Sequence, residues 1–308
     1  VPDYMIKVGI DPADDSFVEE SSKKANAIVQ DFFSAEAYRR TEYAHLKPKI
    51  ITTIAMFYDL DDPQPFVDDI YDILDDDGIW VLQLSYTPLM LKQLAFDNIC
   101  HEHICYYSLS SMKYLMDRAG FDIVDCQLND VNGGSFRIYL MKKTANKTKF
   151  RNQQERDVAN FRVNALLEYE KSLKLNDPQT YIDFYSEICK LRDDTMSFIK
   201  QEKAKGKKIA GYGASTKGNT LLQWYGLDHN YVDYIAERSE YKYGLKTAGT
   251  KIPIIAEADM RADHPDYLII LPWHFINEFA ERETEYIEKG GKFIVPCPKF
   301  LVYPDEGK

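Results

Sequence analysis

The chain contains two stretches in which short β-type runs alternate with helical patterns, and this alternation limits the fold more than any other feature. In the first stretch, the β-type runs cover residues 6–10, 27–30, 49–55, 79–84, 121–128 and 135–141. In the second, they cover residues 208–212, 231–236, 266–271 and 292–296. Such alternation is typical of mostly parallel sheets that are covered by helices on both faces. The pattern therefore predicts an α/β protein with two doubly wound units.

The stretch between these two regions has a different composition. It is rich in Glu, Lys, Arg and Gln and contains no glycine. Apolar residues recur at helical spacing on both sides of Asn176-Asp-Pro178, which predicts two helices with a break between them. We therefore expect three parts: a domain over residues 1–143, a helical connector over 144–205 and a second domain over 206–308.

The composition argues against several classes of protein. A net charge of −11 gives no long-range attraction to nucleic acid or to an anionic membrane, so we expect neither as a partner. No apolar run is long enough for a membrane span, and no signal peptide is visible. The five cysteines form no C-x-x-C pair, which fits a reducing cytoplasm better than a disulfide framework. The chain starts at Val1 and reaches a strand-like run at Met5, so we expect further sequence upstream.

The sharpest chemical motif is Cys100-His-Glu-His-Ile-Cys-Tyr-Tyr107. It follows a strand and a helical pattern and precedes a new helix, so we expect a loop at the edge of the first sheet, where such folds bind ligands. A histidine next to a carboxylate can be held in one tautomer and serve as a base near neutral pH. Two alternatives stay open: a His-x-His metal site, which lacks an evident third ligand, and an ordinary polar loop.

Two predicted strands of the first domain end in aspartate. Asp11 follows Val8-Gly-Ile, at the position where nucleotide-binding folds hold the ribose hydroxyls. An aspartate that caps the next helix gives the same pattern, so this alternative stays open. Asp31 and Phe32 follow the next strand, where they would place a carboxylate and a ring near an adenine or simply form a turn.

Two segments with glycine are candidate substrate loops. Gly211-Tyr-Gly-Ala-Ser-Thr-Lys-Gly-Asn219 lies between a strand and a helix, so its backbone and polar side chains can approach a phosphate. A tight turn is the alternative. Its spacing differs from the dinucleotide and P-loop patterns, so we assign neither NAD nor ATP. Asn132-Gly-Gly-Ser-Phe-Arg137 enters a strand, either as a hairpin turn or as a surface against which a substrate can lie.

These segments, in this order, resemble the signature of nucleotide-sugar C-methyltransferases. The resemblance is carried by residues 96–140, which include His-Glu-His, Tyr-Tyr-Ser and Gly-Gly-Ser-x-Arg, and by residues 211–224, 237–244, 265–275 and 290–300. It covers nearly the whole chain. It implies a class I methyltransferase domain with a Rossmann-like sheet, then a helical connector, then a second Rossmann-like α/β domain.

The resemblance also implies the reaction and its residues. The enzyme would remove a proton from the carbon next to the 4-keto group of a nucleotide-linked deoxysugar and transfer a methyl group from S-adenosylmethionine to that carbon. His103 would be the base, oriented or tuned by Glu102, and His101 would be a further catalytic residue. Asp11, Asp31 and Phe32 would bind the donor. The substrate would contact Tyr58, Cys100, Tyr106, Tyr107, Asn132, Gly133, Ser135, Arg137, Gly213, Ser215, Lys217 and Asn219.

The chain departs from the family pattern in three places. The glycine loop that cradles the donor would precede Met5, so we expect impaired donor binding, and zinc would belong only to an N-terminal module that also lies outside the sequence. Cys100 replaces a tyrosine, and Met56 stands where many relatives have a histidine, with Tyr58 nearby. We assign no metal ligand and no oligomeric state. The alternatives are a non-catalytic sugar-nucleotide-binding relative and an O- or N-methyltransferase for another small acceptor.

Overall fold

A computed structural model of the chain describes residue 2 and residues 4–304. The strands, in chain order, are β1 (Val8–Ile10), β2 (Ala27–Val29), β3 (Ile50–Ile54), β4 (Ile79–Ser85), β5 (Phe121–Asn129), β6 (Ser135–Lys142), β7 (Ile209–Tyr212), β8 (Ile235–Glu237), β9 (Ile254–Ala256), β10 (Tyr267–Ile270), β11 (Lys292–Val295) and β12 (Leu301–Tyr303). The α-helices are α1 (Asp15–Ser22), α2 (Ala35–Arg39), α3 (Pro63–Ile73), α4 (Thr87–Lys92), α5 (Leu109–Arg118), α6 (Gln153–Ser172), α7 (Pro178–Ala204), α8 (Thr216–Tyr225), α9 (Glu257–Asp263), α10 (Ile276–Arg282) and α11 (Thr284–Glu288). This alternation confirms the predicted α/β class.

The described residues divide into two units. The first unit contains the residues up to Ser85, together with residues 104–129 and 135–172. The second contains residues 86–103 and 130–134 and the residues from Leu173 onward. Helix α6 belongs to the first unit and α7 to the second. The three-part division predicted above, with boundaries after residues 143 and 205, stays a prediction.

The strands of the first unit form two sheets. β1 and β2 pair in parallel, and the other sheet has the order β3-β4-β6-β5. β3 and β4 are parallel, whereas β6 runs antiparallel to both of its neighbours. The connection from β5 to β6 is a short turn over residues 130–134, and so short a connection joins antiparallel strands but not parallel ones. This unit is therefore mixed rather than mostly parallel.

The second unit is built on a six-stranded sheet with the order β12-β11-β10-β7-β8-β9. Its neighbouring strands pair in parallel, apart from the antiparallel pair of β11 and β12. β8 and β9 lie on one side of β7, and the chain then crosses over to place β10 on the other side. The strand order therefore reverses between β7 and β10, as in doubly wound folds.

Both faces of this sheet are covered, as predicted. Alternate strand residues belong to different cores: Ile209 and Ile269 to one, Ala210 and Ile270 to the other. Helices α7 and α8 contribute to the first core, and helices α9, α10 and α11 contribute to the second. The faces of the sheet are therefore buried, and a ligand can reach the sheet at the ends of its strands.

Two predicted elements of this unit differ from the structure. The strand predicted over residues 231–236 is the shorter β8, because the backbone N–H groups of Tyr231 and Val232 both turn back to the carbonyl of Asp228. The predicted alternation calls for a helical segment between the strand-like runs 266–271 and 292–296, and this segment is divided into α10 and α11 at Glu283. Glu283 is buried and its carboxylate accepts a hydrogen bond from the Tyr212 hydroxyl at 2.6 Å, so this tertiary contact holds the break in place.

Candidate functional site

The second unit places two loops where its strand order reverses. Gly213 follows β7 and Pro272-Trp-His274 follows β10, so both loops lie at the carboxyl ends of the strands on either side of the reversal. Open α/β sheets bind ligands in the crevice outside such a point. Side chains in these loops are therefore the first candidates for a ligand site.

The loop after β7 brings two backbone segments close together. Gly213 has a φ of +84°, and a Cβ atom built on it would lie 2.7 Å from Cδ of Pro272. Glycine avoids both the strain and the clash. Ser215 then caps α8, because its Oγ accepts a hydrogen bond from the Gly218 N–H at 3.0 Å. The loop thus places the partly positive N-terminus of α8 at the carboxyl edge of the sheet.

Some polar groups of this loop already form hydrogen bonds within the protein. The Ala214 N–H donates to Oε2 of Glu237 at 2.8 Å, and Nζ of Lys242 donates to the Ala214 carbonyl at 2.6 Å. Oδ1 of Asn219 accepts a hydrogen bond from the Ala248 N–H at 3.2 Å. A phosphate at this loop would therefore compete with Glu237 for the Ala214 amide.

Lys217 lies in the first turn of α8 and is half-buried among titratable groups. Burial lowers the pKa of its ammonium, while Asp97 and Cys100 raise it. The charge of Lys217 acts in turn on the pKa values of Asp97, His103 and His274. Lys217 is thus the centre of a group formed by Asp97, Cys100, His103, Lys217 and His274, which we call the lysine cluster.

Asp97 is deeply buried in the lysine cluster, with 1% of its surface exposed. Its Oδ2 accepts a hydrogen bond from Nε1 of Trp273 at 3.0 Å, whereas its Oδ1 has no partner of ordinary geometry among the described residues. Burial holds the pKa of this carboxyl above its ordinary value, although the charge of Lys217, the Trp273 bond and the neighbouring backbone amides oppose this shift. The sequence prediction included neither Asp97 nor Trp273. The available signal was the position of Asp97 three residues before Cys100.

His103 is half-buried, and its surroundings favour the neutral imidazole. Burial and the charge of Lys217 lower the pKa of His103, while a hydrogen bond with the Asn98 backbone and the charge of Glu102 raise it. The net direction is below the ordinary value, so the neutral form prevails at neutral pH. A neutral imidazole is the form that accepts a proton.

His274 is a second neutral imidazole of the lysine cluster, and the sequence prediction missed it. Burial and the charge of Lys217 lower the pKa of His274 to about 4. Its Nδ1 is buried and has no hydrogen-bond partner within the part of the chain that the structure describes. The histidine next to a tryptophan directly after β10 was the signal for it, because that position flanks the reversal of strand order.

The glycine turn before β6 reaches the same region. Gly133 has a φ of +83°, and a Cβ atom built on it would lie 3.4 Å from the Trp273 ring and 3.8 Å from Cβ of His274. The predicted substrate turn therefore lies beside the lysine cluster. The side chain of Asn132 lies outside the described part of the structure.

The segment over residues 100–107 is a loop, as predicted, but it is divided between the units after His103. The preceding residues belong to the second unit because Phe96 packs in the core of that unit. The His103 N–H donates to the Cys100 carbonyl at 3.2 Å, and the tip of this turn, His101 and Glu102, is exposed. Nε2 of His101 lies 3.9 Å from Oε1 of Glu102. Glu102 thus lies beside His101, and its charge is the weakest of the influences on the pKa of His103.

In the first unit, Asp11 and Asp31 follow two paired parallel strands. Ile10 pairs with Val29, and the Asp11 N–H donates to the Val29 carbonyl at 3.1 Å. The Asp11 side chain is exposed, and its Oδ1 accepts a hydrogen bond from the Ala13 N–H at 2.9 Å. The structure therefore brings these two predicted carboxylates to one sheet edge.

The side chains of Asp31 and Phe32 differ in how accessible they are to a ligand. Arg40 is the main cause that holds the pKa of Asp31 below its ordinary value, and the Phe32 N–H also donates to the Asp31 carboxylate, at 2.8 Å. The Phe32 ring is 76% exposed. Asp31 is thus occupied by an ion pair, whereas the ring of Phe32 is open to solvent.

The predicted tyrosines belong to the first unit. The Tyr58 carbonyl accepts hydrogen bonds from the N–H groups of Ile104 and Cys105, at 3.0 and 2.9 Å, which anchor the end of the loop. Tyr58 and Tyr107 are buried, whereas Tyr106 is 41% exposed. Burial raises the pKa of Tyr107, so its hydroxyl stays protonated.

Two further predicted residues lie on β6. Ser135 is buried at the start of the strand. Arg137 donates from both Nε and Nη2 to Oε1 of Gln83, at 2.9 and 2.6 Å. An anionic ligand at Arg137 would have to share the guanidinium with Gln83.

The predicted site residues thus fall into two groups, one in each unit. The first unit holds Asp11, Asp31, Phe32, Tyr58, Tyr106, Tyr107, Ser135 and Arg137. The second unit holds Cys100, His101, Glu102, His103, Asn132, Gly133, Gly213, Ser215, Lys217 and Asn219. Across the described ranges of both units, no three His, Cys, Asp or Glu side chains gather as metal ligands would. No helix within those ranges is long and apolar enough to cross a membrane.

The chain matches two family models. Residues 5–125 match the model described as methyltransferase domain, and residues 130–298 match that described as C-methyltransferase C-terminal domain. The C-methyltransferase NovU from Streptomyces niveus is 29% identical over 292 residues, which cover 95% of this chain and 67% of that protein. These matches confirm the resemblance to C-methyltransferases and the methyltransferase fold predicted for the first part of the chain.

Solved methyltransferase structures also match, at lower similarity. The plantazolicin methyltransferase BpumL, in complex with a pentazolic desmethylPZN analog and SAH, is 12% identical with a TM-score of 0.33, over 44% of this chain and 67% of that one. A SAM-dependent methyltransferase from Thermotoga maritima is 17% identical with a TM-score of 0.34, over 44% of this chain and 73% of that one. The family assignment rests on the family model that matches more than half of the 308 residues. On that basis, the chain belongs to the family of S-adenosylmethionine-dependent C-methyltransferases.

Proposed function

We propose that the protein methylates a carbon next to the ketone of a nucleotide-linked deoxysugar, with His103 as the base. The observation that carries this proposal is a neutral imidazole, His103, under the influence of a lysine charge, Lys217, in the unit whose strand order reverses beside α8. A C-methyltransferase must make a carbon nucleophilic, and both a base and a nearby cation lower the barrier to removing a proton from carbon. The lysine cluster contains both groups.

In the proposed reaction, His103 accepts the proton from the carbon next to the ketone. The electron pair of the broken C–H bond moves onto the ketone oxygen, where the Lys217 ammonium stabilises the developing negative charge. S-adenosylmethionine, when bound, supplies the electrophilic methyl group that the substrate carbon takes up. We assign the base to His103 rather than His101, because the His101 side chain is 82% exposed and water competes for it.

The edge formed by β1 and β2 fits part of the methyl donor. The exposed Asp11 carboxylate can accept hydrogen bonds from ribose hydroxyls. The exposed Phe32 ring offers an apolar face for an adenine. Asp31 is paired with Arg40, so we assign it to the ordering of this edge.

We assign the diphosphate of the substrate to the N-terminus of α8. A helix N-terminus favours anions, and the Ser215 hydroxyl lies at this position. Glu237 weakens the site because it occupies the Ala214 amide, but Lys242 lies 3.7 Å from Glu237 and offsets its charge. The roles of Tyr58, Tyr106, Tyr107, Ser135 and Arg137 as substrate contacts stay predictions.

We also propose the cytoplasm as the compartment. All five cysteines are free thiols. Free thiols persist in reducing compartments, whereas an oxidising one favours disulfides.

Hydrogen exchange tests the assignment of the base without a methyl donor. The chain is incubated in D2O with a 4-keto-6-deoxy sugar nucleotide, and NMR follows exchange at the carbons next to the ketone. We expect His103→Ala to slow this exchange about 100-fold or more, because a general base contributes on that order. His229→Ala, which removes an exposed histidine from a turn, is the matched control.

A different result would redirect the assignment. Exchange by His103→Ala at the parent rate, with the ligand shown to bind, would contradict the role of His103. An enzyme that methylates oxygen or nitrogen needs no carbon-acid base, so that result would favour this alternative. Binding without exchange in the parent would favour a non-catalytic sugar-nucleotide-binding protein.

A further inference from the structure

Helix α8 carries Lys217 and Trp224 on one face, because residues seven apart lie two turns apart. That face packs against the short turn Phe96–Asn98, where the ring centroids of Phe96 and Trp224 are 6.4 Å apart. Lys217 and Asp97 therefore belong to two elements in direct contact. Their effects on each other's pKa follow from this arrangement.

Burial of the Asp97 carboxylate costs free energy that its hydrogen bonds do not recover. Nε1 of Trp273 donates to Oδ2, while Oδ1 has no hydrogen-bond partner among the residues that the structure describes. A buried carboxylate of this kind stays ionised only if an opposite charge compensates it. Lys217 is the cation whose charge acts on Asp97.

Among the described residues, most of the other titratable groups that act on this pair are neutral. The pKa values of Tyr225 and Cys297 are raised by burial and by the Asp97 carboxylate, so both stay protonated and neutral at neutral pH. Around Lys217, the imidazoles of His103 and His274 are neutral. Cys100 also raises the pKa of Lys217, but its effect is smaller than that of Asp97. Asp97 is therefore the described residue whose charge most opposes the effect of burial on Lys217.

We propose that Asp97 is a positioning residue: its buried carboxylate is the counter-ion that keeps the Lys217 side chain an ammonium beside His103 and His274. This inference rests on the proposed function, in which the Lys217 charge stabilises the negative charge that develops on the substrate. Loss of Asp97 would remove a charge that raises the pKa of Lys217, while burial would still lower this pKa. The ammonium would therefore lose its proton at a lower pH. The reaction would then lose its cation at alkaline pH.

Replacement of Asp97 by Asn in two backgrounds tests this role. Asn keeps an oxygen for the Trp273 N–H and nearly the same volume. With Lys217 present, we expect Asp97→Asn to slow the exchange reaction about tenfold at pH values above the alkaline midpoint of the parent, equivalent to about one pKa unit. In a Lys217→Arg background, the guanidinium stays charged without help, so the same change should cost less than about twofold.

The two backgrounds separate an electrostatic role from a structural one. The alkaline limb of the pH profile should move to lower pH in Asp97→Asn and stay in place when residue 217 is Arg. Equal losses from Asp97→Asn in both backgrounds would overturn the proposal, because they would show that the effect does not depend on a titrating lysine.

Titration of Lys217 tests the inference without a substrate. The ε-carbon of Lys217 is followed by ¹³C NMR on lysine-labelled protein, and its signal is assigned by its loss in Lys217→Arg. We expect Asp97→Asn to lower the midpoint by about one pH unit or more; an unchanged midpoint would overturn the proposal. A lowered midpoint in a protein that catalyses no exchange would support the counter-ion role and count only against the proposed function.

A reciprocal variant serves if Asp97→Asn does not fold. In Lys217→Met the Asp97 carboxyl has lost its cation, so it should take up a proton at a higher pH than in the parent. The measurement is ¹³C NMR of the Asp97 carboxyl carbon. An Asp97 titration that Lys217→Met leaves unchanged would contradict the pairing.

Discussion

The two clusters at strand ends differ in their access to water. Asp11 and Phe32 in the first unit are exposed, whereas Asp97 in the second unit is buried and His103 and Lys217 are half-buried. Water screens charges at the edge formed by β1 and β2, and it screens them much less in the lysine cluster. Burial is accordingly the largest influence on the pKa values of Asp97, His103 and Lys217.

This difference indicates a division of labour. Shifted pKa values concentrate where acid–base chemistry takes place, and an exposed edge with an available carboxylate and ring is suited to binding. In the function that we propose, the buried lysine cluster would remove the proton, and the exposed edge would bind the methyl donor. Substitutions at the lysine cluster and at the exposed edge test this difference.

The largest effect is expected from Lys217→Met. Loss of a cation that stabilises developing charge should slow exchange in D2O about 100-fold or more. The acid limb of the pH profile should also rise, because Lys217 lowers the pKa of His103, which in the parent lies below about 6.5. Lys200→Met, which removes an exposed lysine of α7, is the control. If the acid limb lies at the same pH in Lys217→Met as in the parent, the charge of Lys217 does not affect the pKa of His103.

An intermediate effect, on stability, is expected from His274→Gln. The pKa of His274 is lowered to about 4, so the folded state resists protonation that the unfolded chain accepts near pH 6.5. Its contribution to stability is therefore complete above about pH 6.5 and is lost as the pH falls towards about 4. The loss should be about 2–3 kcal/mol in the parent and nearly absent in the variant.

Urea unfolding at pH 7 and pH 4.5 measures this difference. His229→Gln, at an exposed position, should behave like the parent. If the parent and His274→Gln lose the same stability between the two pH values, His274 is not the buried neutral imidazole that the lysine cluster requires.

The smallest effect is expected at the exposed edge. Asp11→Asn should weaken binding of S-adenosylmethionine about tenfold, because a hydrogen bond to a charged group contributes roughly 1.5 kcal/mol. Calorimetric titration measures the affinity, and Glu19→Gln, an exposed carboxylate of α1, is the control. Equal donor affinity in these two variants would remove Asp11 from the donor site.

Part of the site could be predicted from local sequence. A strand-to-helix turn needs a residue that accepts a positive φ and a residue that caps the helix, and Gly213 and Ser215 meet these needs. The break predicted at Asn176-Asp-Pro178 is where α7 begins, with Asp177 as its cap. Each of these features depends on a few consecutive residues.

The buried half of the lysine cluster could not be predicted in this way. Asp97 and Trp273 are 176 residues apart in sequence, yet a hydrogen bond joins them. The position of His274 after β10 was a signal in the sequence, but burial and the charge of Lys217, which lower its pKa, depend on the fold. Likewise, nothing in the sequence pattern distinguishes Glu237 from other acidic residues near the end of a strand. The structure shows that its carboxylate accepts a hydrogen bond from the Ala214 N–H.

The α/β class, the order of most elements and the family could be predicted from the sequence, because periodicity, turn residues and spaced motifs are properties of short segments. The folded structure was needed to show that the charge of Lys217 acts on the pKa values of Asp97, His103 and His274, and that residues 100–103 belong to the second unit. The physical reason is that pKa values and hydrogen bonds depend on burial and on distances between side chains far apart in the chain. Neither burial nor these distances can be derived from a short segment of the sequence.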